Sequence, residues 1–130
     1  MRDLGGYFAR YGERLYKSNA VAPSAPAVPL IHYGDDVPDV GFEKLKDGVW
    51  RRRVPRSELT EYYRLEYRCM YRNLDCSMSR EEGDDVEVLY LAGNSYAAAE
   101  AGMKEIDRGV FQAWVPRSEL EHVQEVRTPA

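Results

Sequence analysis

Cysteine and histidine are scarce in this 130-residue chain. It carries Cys69 and Cys76, and two histidines, His32 and His122, that lie ninety positions apart. A protein-bound metal takes three or four ligands, and no His/Cys cluster supplies them, so no metal site is expected. Two cysteines in one half also exclude a disulfide framework, and the natural reading is a reduced, cytoplasmic protein. Long apolar runs are missing as well. Nothing approaches the roughly 20 residues of a membrane helix, and the opening MRDLGGYFARYGERLYK lacks the apolar stretch of a signal peptide. A basic excess is absent too: 18 Lys and Arg stand against 22 Asp and Glu, a net charge of −4, which argues against a general nucleic-acid binder. Finally, there is no phosphate loop, dinucleotide-binding glycine turn, HExxH helix or GxSxG elbow. The expectation is a protein that is not an enzyme, with no catalytic residues and no cofactor. No membrane, nucleic acid or small-molecule ligand is expected as a partner.

What is present is a stretch that occurs twice. Residues 41–59 read GFEKLKDGVWRRRVPRSEL and residues 102–120 read GMKEIDRGVFQAWVPRSEL, identical at nine of nineteen positions at a constant offset of 61. Such self-similarity marks a duplicated structural unit. In each copy a glycine (Gly48, Gly109) turns the chain into a short strand, and a proline (Pro55, Pro116) that cannot donate to a ladder ends it. The PRSEL that follows suits one helical turn led by proline. Ser57 and Ser118 within it read as turn residues bonding nearby backbone, since a catalytic serine is rarely needed twice.

The remaining pattern extends the duplication. Tyr7–Tyr11 and Tyr67–Tyr71 read as equivalent first strands, followed by turns at Gly12–Arg14 and Arg72–Leu74. Leu30–Tyr33 and Val86–Leu91 read as equivalent later strands. The Ala/Pro-rich residues 18–29 are expected to be an extended loop, and Ser79–Asp85 an acidic one. Asn94 or Ser95 suits the cap of a short helix that Gly102 ends. Residues 60–66 join the halves without a linker, and the terminal Arg-Thr-Pro-Ala is expected to fray. The fold class is therefore mainly β, with two units of about five strands each and boundaries at 1–64 and 65–130. At about sixty residues each unit is marginal alone, because small domains bury a modest share of their surface.

Ten tyrosines against three phenylalanines make tyrosine the main aromatic surface. Tyrosine together with arginine is the composition of protein-recognition surfaces. Arg51–Arg53 and Arg56 form the one basic cluster, suited to the chain's own acidic loops or to an acidic partner. Function is expected where the copies differ, which singles out Tyr62, Tyr63, Glu81, Glu82, Asp84, Asp85 and Tyr96 as partner-binding residues.

The Gly-Val-aromatic…Val-Pro-Arg-Ser-Glu-Leu order resembles the closing segment of SH3-type domains. The whole pattern, most specifically Asp107–Pro116, resembles small bacterial proteins with two tandem SH3-like halves associated with polymorphic-toxin immunity cassettes. That resemblance implies two tandem SH3-like small barrels with short helical turns. It also implies an immunity or antitoxin protein that occludes the active site of a basic toxin domain, of nuclease or NAD-consuming/ADP-ribosylating type. The alternative is an SH3-like scaffold that binds a peptide or protein partner.

Overall fold

The structure, a computed structural model, describes residues 1–36 and 38–130. It is mainly β and antiparallel. In chain order the strands are β1 (Arg2–Asp3), β2 (Gly6–Tyr11), β3 (Arg14–Ser18), β4 (Ala27–Tyr33), β5 (Glu43–Lys46) and β6 (Val49–Pro55). After a 3-10 turn at Arg56–Glu58 come β7 (Leu59–Tyr71), β8 (Leu74–Glu82) and β9 (Asp85–Tyr90). Helix α1 (Ser95–Glu100), β10 (Lys104–Asp107), β11 (Val110–Pro116), a second 3-10 turn at Arg117–Glu119 and β12 (Glu121–Pro129) complete the chain. No helix among the described residues is long and apolar enough to cross a membrane.

The chain divides into two compact units, and each takes in a short piece from the far end of the sequence. The first unit is Gly6–Leu65 with Arg127–Ala130; the second is Met1–Gly5 with Glu66–Val126. The terminal residues expected to fray are instead held: the Ala130 N–H donates to the Tyr62 carbonyl at 3.0 Å, and β12 runs to Pro129. At the other end β1 pairs with β8, Arg2 opposite Glu81, and the Leu4 N–H donates to the Ser79 carbonyl at 2.9 Å.

Within the first unit the strand order is β7–β2–β3–β4–β6–β5; within the second, β7–β8–β9–β11–β10, with β12 also on β7. Besides the two-residue β1 of the second unit, each unit thus carries one strand more than the pattern suggests. The extra strands, β5 and β10, are the short charged runs EKLK and KEID. They pair at the outer side of β6 and β11, with matching register shifts between Lys44 and Lys46 and between Glu105 and Asp107. Four residues, alternating charge and a bulge are the features that keep a free sheet edge from pairing with other chains.

The duplicated stretches adopt the same local structure. Gly48 and Gly109 take φ of 75° and 74°, a left-handed conformation that an L side chain would strain. Pro55 and Pro116 have φ/ψ of −58°/137° and −59°/138°, and each leads a 3-10 turn closed by an extended Leu59 or Leu120. Each turn is tied back alike: the Arg56 N–H donates to the Pro26 carbonyl and the Arg117 N–H to the Asp84 carbonyl.

Side-chain alternation gives the strands of each unit a core face and an outer face. The first core is small: Ala9, Tyr16, Val28, Leu30 and Val54, with Phe42, Leu59 and Tyr62 against it. The second is larger, built from β7, β8, β9 and β11 and closed by Ala98, Ala101 and Met103 around α1. Asn94 caps that helix, its side chain accepting from the Ala97 N–H at 3.1 Å, and Gly102 ends it with φ of 79°. Replacing Asn94 by alanine is expected to cost about 1 kcal/mol in a denaturant titration, the worth of one N-cap.

Two strand bounds differ from the sequence expectation. β4 begins at Ala27 and runs through Pro29, whose missing donor is tolerated opposite Arg53; only the residues between Ser18 and Ala27 form the loop. The acidic loop shrinks to the tip of a hairpin, because β8 extends to Glu82 and β9 starts at Asp85.

Candidate functional site: the outer sheet faces

On β6 the register places Val54 opposite Val28 and Arg52 opposite Leu30 on the core side. Arg52 stays there by lying over the Tyr11 ring at 5.0 Å and donating to the Tyr11 hydroxyl and the Val40 carbonyl. Arg51 and Arg53 point to the outer face, where Arg51 pairs with Glu43 at 2.6 Å. The cluster is therefore split, and its ionic partner is a strand residue rather than an acidic loop.

The outer face of the second unit is organised around Glu87. A charged residue within the apolar run VEVLYL stands out in the sequence, and its side chain is 4% exposed here. Four donors compensate the burial. Ser79 Oγ donates to Oε1 at 2.5 Å, Arg80 Nε and Nη2 donate to the two oxygens at 2.8 and 2.6 Å, and Gln112 Nε2 donates to Oε2. The Arg80 hydrogen bond is the main reason that the carboxyl titrates at about 2, well below the ordinary range. Arg80 also lies over the Trp114 ring at 5.6 Å, so carboxylate, guanidinium and indole form one stack.

Beside this stack Glu82 and Asp85 face each other across the β8–β9 tip. With Met1, Arg80 and the 38% exposed Trp114 they line a depression of about 310 Å³. Asp84, Pro116, Arg117 and Ser118 line a second one of about 400 Å³. Among the described residues Glu82, Asp84 and Asp85 have no ionic partner. Glu81, grouped with them by sequence, behaves differently. It is bridged by Arg2 and Arg117 and withdrawn from solvent, because β8 continues past it and turns its side chain toward those arginines.

The aromatic candidates also separate. Tyr96, on α1, is 84% exposed. Tyr62 donates its hydroxyl to the Asn19 carbonyl at 2.8 Å and lies under the Arg56 guanidinium at 5.2 Å; partial burial raises its phenol pKa. Tyr63 is buried at 9% exposure, stacked on Phe8 at 5.9 Å with Arg127 over its ring at 4.9 Å. Both tyrosines are held inside the first unit, and a shallow depression of about 300 Å³ lies beside them with Glu61, Arg127 and Pro129.

The cysteines sit opposite each other across β7 and β8, free and buried. Burial pushes the Cys76 thiol up to about 12 and raises Cys69 as well, which makes both poor nucleophiles. Buried His32 has Nε2 at 3.3 Å from Asp36 Oδ1, and that contact lowers the Asp36 pKa. No three His, Cys, Asp or Glu groups converge as metal ligands among the described residues.

Residues 4–130 match the family described as "Uncharacterised conserved protein UCP033725". The chain belongs to this family. No curated protein and no solved structure matches it. The match spans both units and both duplicated stretches, so the paired 3-10 turns lie wholly within the UCP033725 family region.

Sequence reasoning missed Trp114, Arg80 and Glu87. The copies themselves carried the signal, since Trp114 stands at the position of Arg53 and Gln112 at that of Arg51.

Proposed function

We propose that the protein is a non-catalytic binding module acting in the cytoplasm, and that the outer face of its second unit captures a basic protein surface. The observation that carries this reading is the set of unpaired carboxylates Glu82, Asp84 and Asp85 beside the half-exposed Trp114. An indole flanked by carboxylates suits a lysine or arginine side chain, which gains both ion pairing and cation–π attraction. The face is also where the two copies diverge, with Trp114 at the position of Arg53 and Gln112 at that of Arg51, while the proline-led turns stay alike. The charge balance agrees: the second unit carries seven Lys and Arg against fourteen Asp and Glu, a net −7.

Each unit is a variant of the SH3-like plan on this reading. The strand after the 3-10 turn lies beside the first strand, as in such barrels, and β5 or β10 is an added edge. The form of the role that the sequence resemblance favours is an immunity protein, occluding the active site of a toxin domain whose substrate groove is basic. The two depressions flanking the β8–β9 tip, one with Trp114 and one with Pro116, favour a second form, a scaffold that takes an extended peptide.

The test is the binding kinetics of the full chain with the product of the neighbouring gene, together with protection of cells that express that product. Association is expected to slow as salt rises, because exposed charges steer the encounter. Trp114→Ala is expected to weaken binding by roughly thirtyfold, as for a central aromatic anchor. Doubly reversed Glu82→Lys and Asp85→Lys should slow association most. If all variants bind and protect as the wild type does, the surface lies elsewhere, with Tyr96 on α1 next to be tested. If the wild type neither binds nor protects, the immunity form fails and the peptide scaffold replaces it.

A further inference from the structure

The first unit has the opposite charge: eleven Lys and Arg against eight Asp and Glu, a net +3. Whole-chain charge, which argues against nucleic acid, averages over this difference. The excess is also concentrated on one face. Register runs from Tyr63 through Phe8, Lys17 and Ile31 to Arg51, so these side chains share the outer side of the sheet, away from the Ala9–Tyr16–Leu30 core. Two residues along each strand, Leu15, Tyr33 and Arg53 join them on that side.

Two cations on this face are held in no direct salt bridge among the described residues. Arg51 pairs with Glu43 and Arg10 with Glu61, whereas Lys17 and Arg53 form no direct salt bridge among the described residues, and Arg53 acts on the Glu43 carboxylate only at longer range. Tyr33 is 60% exposed with the Lys17 ammonium 5.5 Å from its ring centroid, and Leu15 is uncovered nearby. An open sheet face with interleaved cations and a presented aromatic ring meets both demands of a single-stranded nucleic acid. The cations follow phosphates, and the ring gives an unpaired base a stacking surface. A duplex offers no free base face to Tyr33, and an acidic peptide supplies charge but nothing to stack.

We infer that the outer face of the first unit binds single-stranded nucleic acid through Lys17, Arg53 and Tyr33, a role independent of the docking surface on the second unit. Sequence preference is expected to be weak, because stacking on Tyr33 and charge pairing with phosphates do not read base edges.

The experiment is fluorescence anisotropy of the full chain with labelled twelve-nucleotide single-stranded RNA and DNA, the matching duplex, and a poly-glutamate peptide, over a salt series. The single strands are expected to bind and the duplex and peptide to bind at least tenfold more weakly. Two or three neutralised phosphates give a slope of log affinity on log salt of about −1.4 to −2.1. Lys17→Glu with Arg53→Glu should abolish binding. Tyr33→Ala should weaken it at least fivefold, the low end of one stacked base. Trp114→Ala should leave it unchanged, and thermal melts confirm that each variant folds. Absence of single-strand binding at low salt overturns the proposal. So does equal binding of poly-glutamate with no effect of Tyr33→Ala, which would assign the face to an acidic protein instead.

Discussion

Glu87→Gln is expected to lower the stability of the protein by about 3 kcal/mol, the equivalent of moving a carboxyl from its ordinary pKa near 4.5 to about 2. The substitution keeps the shape of the side chain and removes its charge. Arg80 then lies over Trp114 without its carboxylate, and the amide cannot accept on both sides as Glu87 does. In a chain of this size the loss corresponds to a melting temperature lower by about 10 °C. The pH dependence provides the sharper check. The folded state holds the Glu87 proton more weakly than the unfolded chain, so its contribution is fully present above the ordinary carboxyl pKa. It disappears as pH falls from about 5 toward 2. Melting temperatures of wild type and variant should therefore differ most at neutral pH and converge at low pH. A constant difference across that range would mean that the effect is one of packing, not of charge.

That network also shows what the sequence conveyed and what it did not. The duplicated stretches were legible because their structure is set by local chemistry. A glycine at φ near 75° and a proline-led turn follow from the residues themselves, and both copies obey them. The Asn94 cap and its helix were readable for the same reason. The extra strands β5 and β10 were not, because EKLK and KEID have no periodic apolar face; neighbouring strands hold them in place. Pro29 hid the first half of β4, since a proline in a strand is acceptable only where its partner needs no donor. The transfer of Met1–Gly5 and Arg127–Ala130 to the opposite units depends wholly on long-range pairing.

The candidate site was half visible. Composition marked the acidic tip, and the fold leaves Glu82, Asp84 and Asp85 without ionic partners among the described residues. The same reasoning grouped Glu81 with them, although Arg2 and Arg117, distant in sequence, neutralise it. Tyr62 and Tyr63, adjacent in sequence, were both expected to be partner-binding residues. Instead Arg56 and Arg127, one of them more than sixty positions away, cover both. Charge and aromatic content can be counted along a chain, but which charges remain unpaired is a property of the fold.

Dividing the chain between Leu65 and Glu66 is expected to leave neither half stably folded. A fragment ending at Leu65 loses Arg127–Ala130. With them go the hydrogen bond from the Ala130 N–H to the Tyr62 carbonyl, the guanidinium over Tyr63 and the carbonyl that Arg56 reaches. Among the described residues its buried core cluster is small: Ala9, Tyr16, Val28, Leu30 and Val54. A chain of this length rarely derives more than about 3–5 kcal/mol from one small core, so these losses are a large fraction of the total. A fragment beginning at Glu66 keeps the larger core but loses β1, the Leu4 bond to Ser79 and one of the two arginines that neutralise Glu81. It should retain strand structure yet melt well below the intact protein, whereas the first fragment should show little cooperative melting. Circular dichroism of both fragments, alone and mixed, against the full chain provides the measurement. Mixing should restore part of the lost structure, because each fragment carries the segment that the other unit lacks. Two separate transitions in the intact protein, each reproduced by one fragment alone, would show that the terminal segments add nothing essential to the units they join.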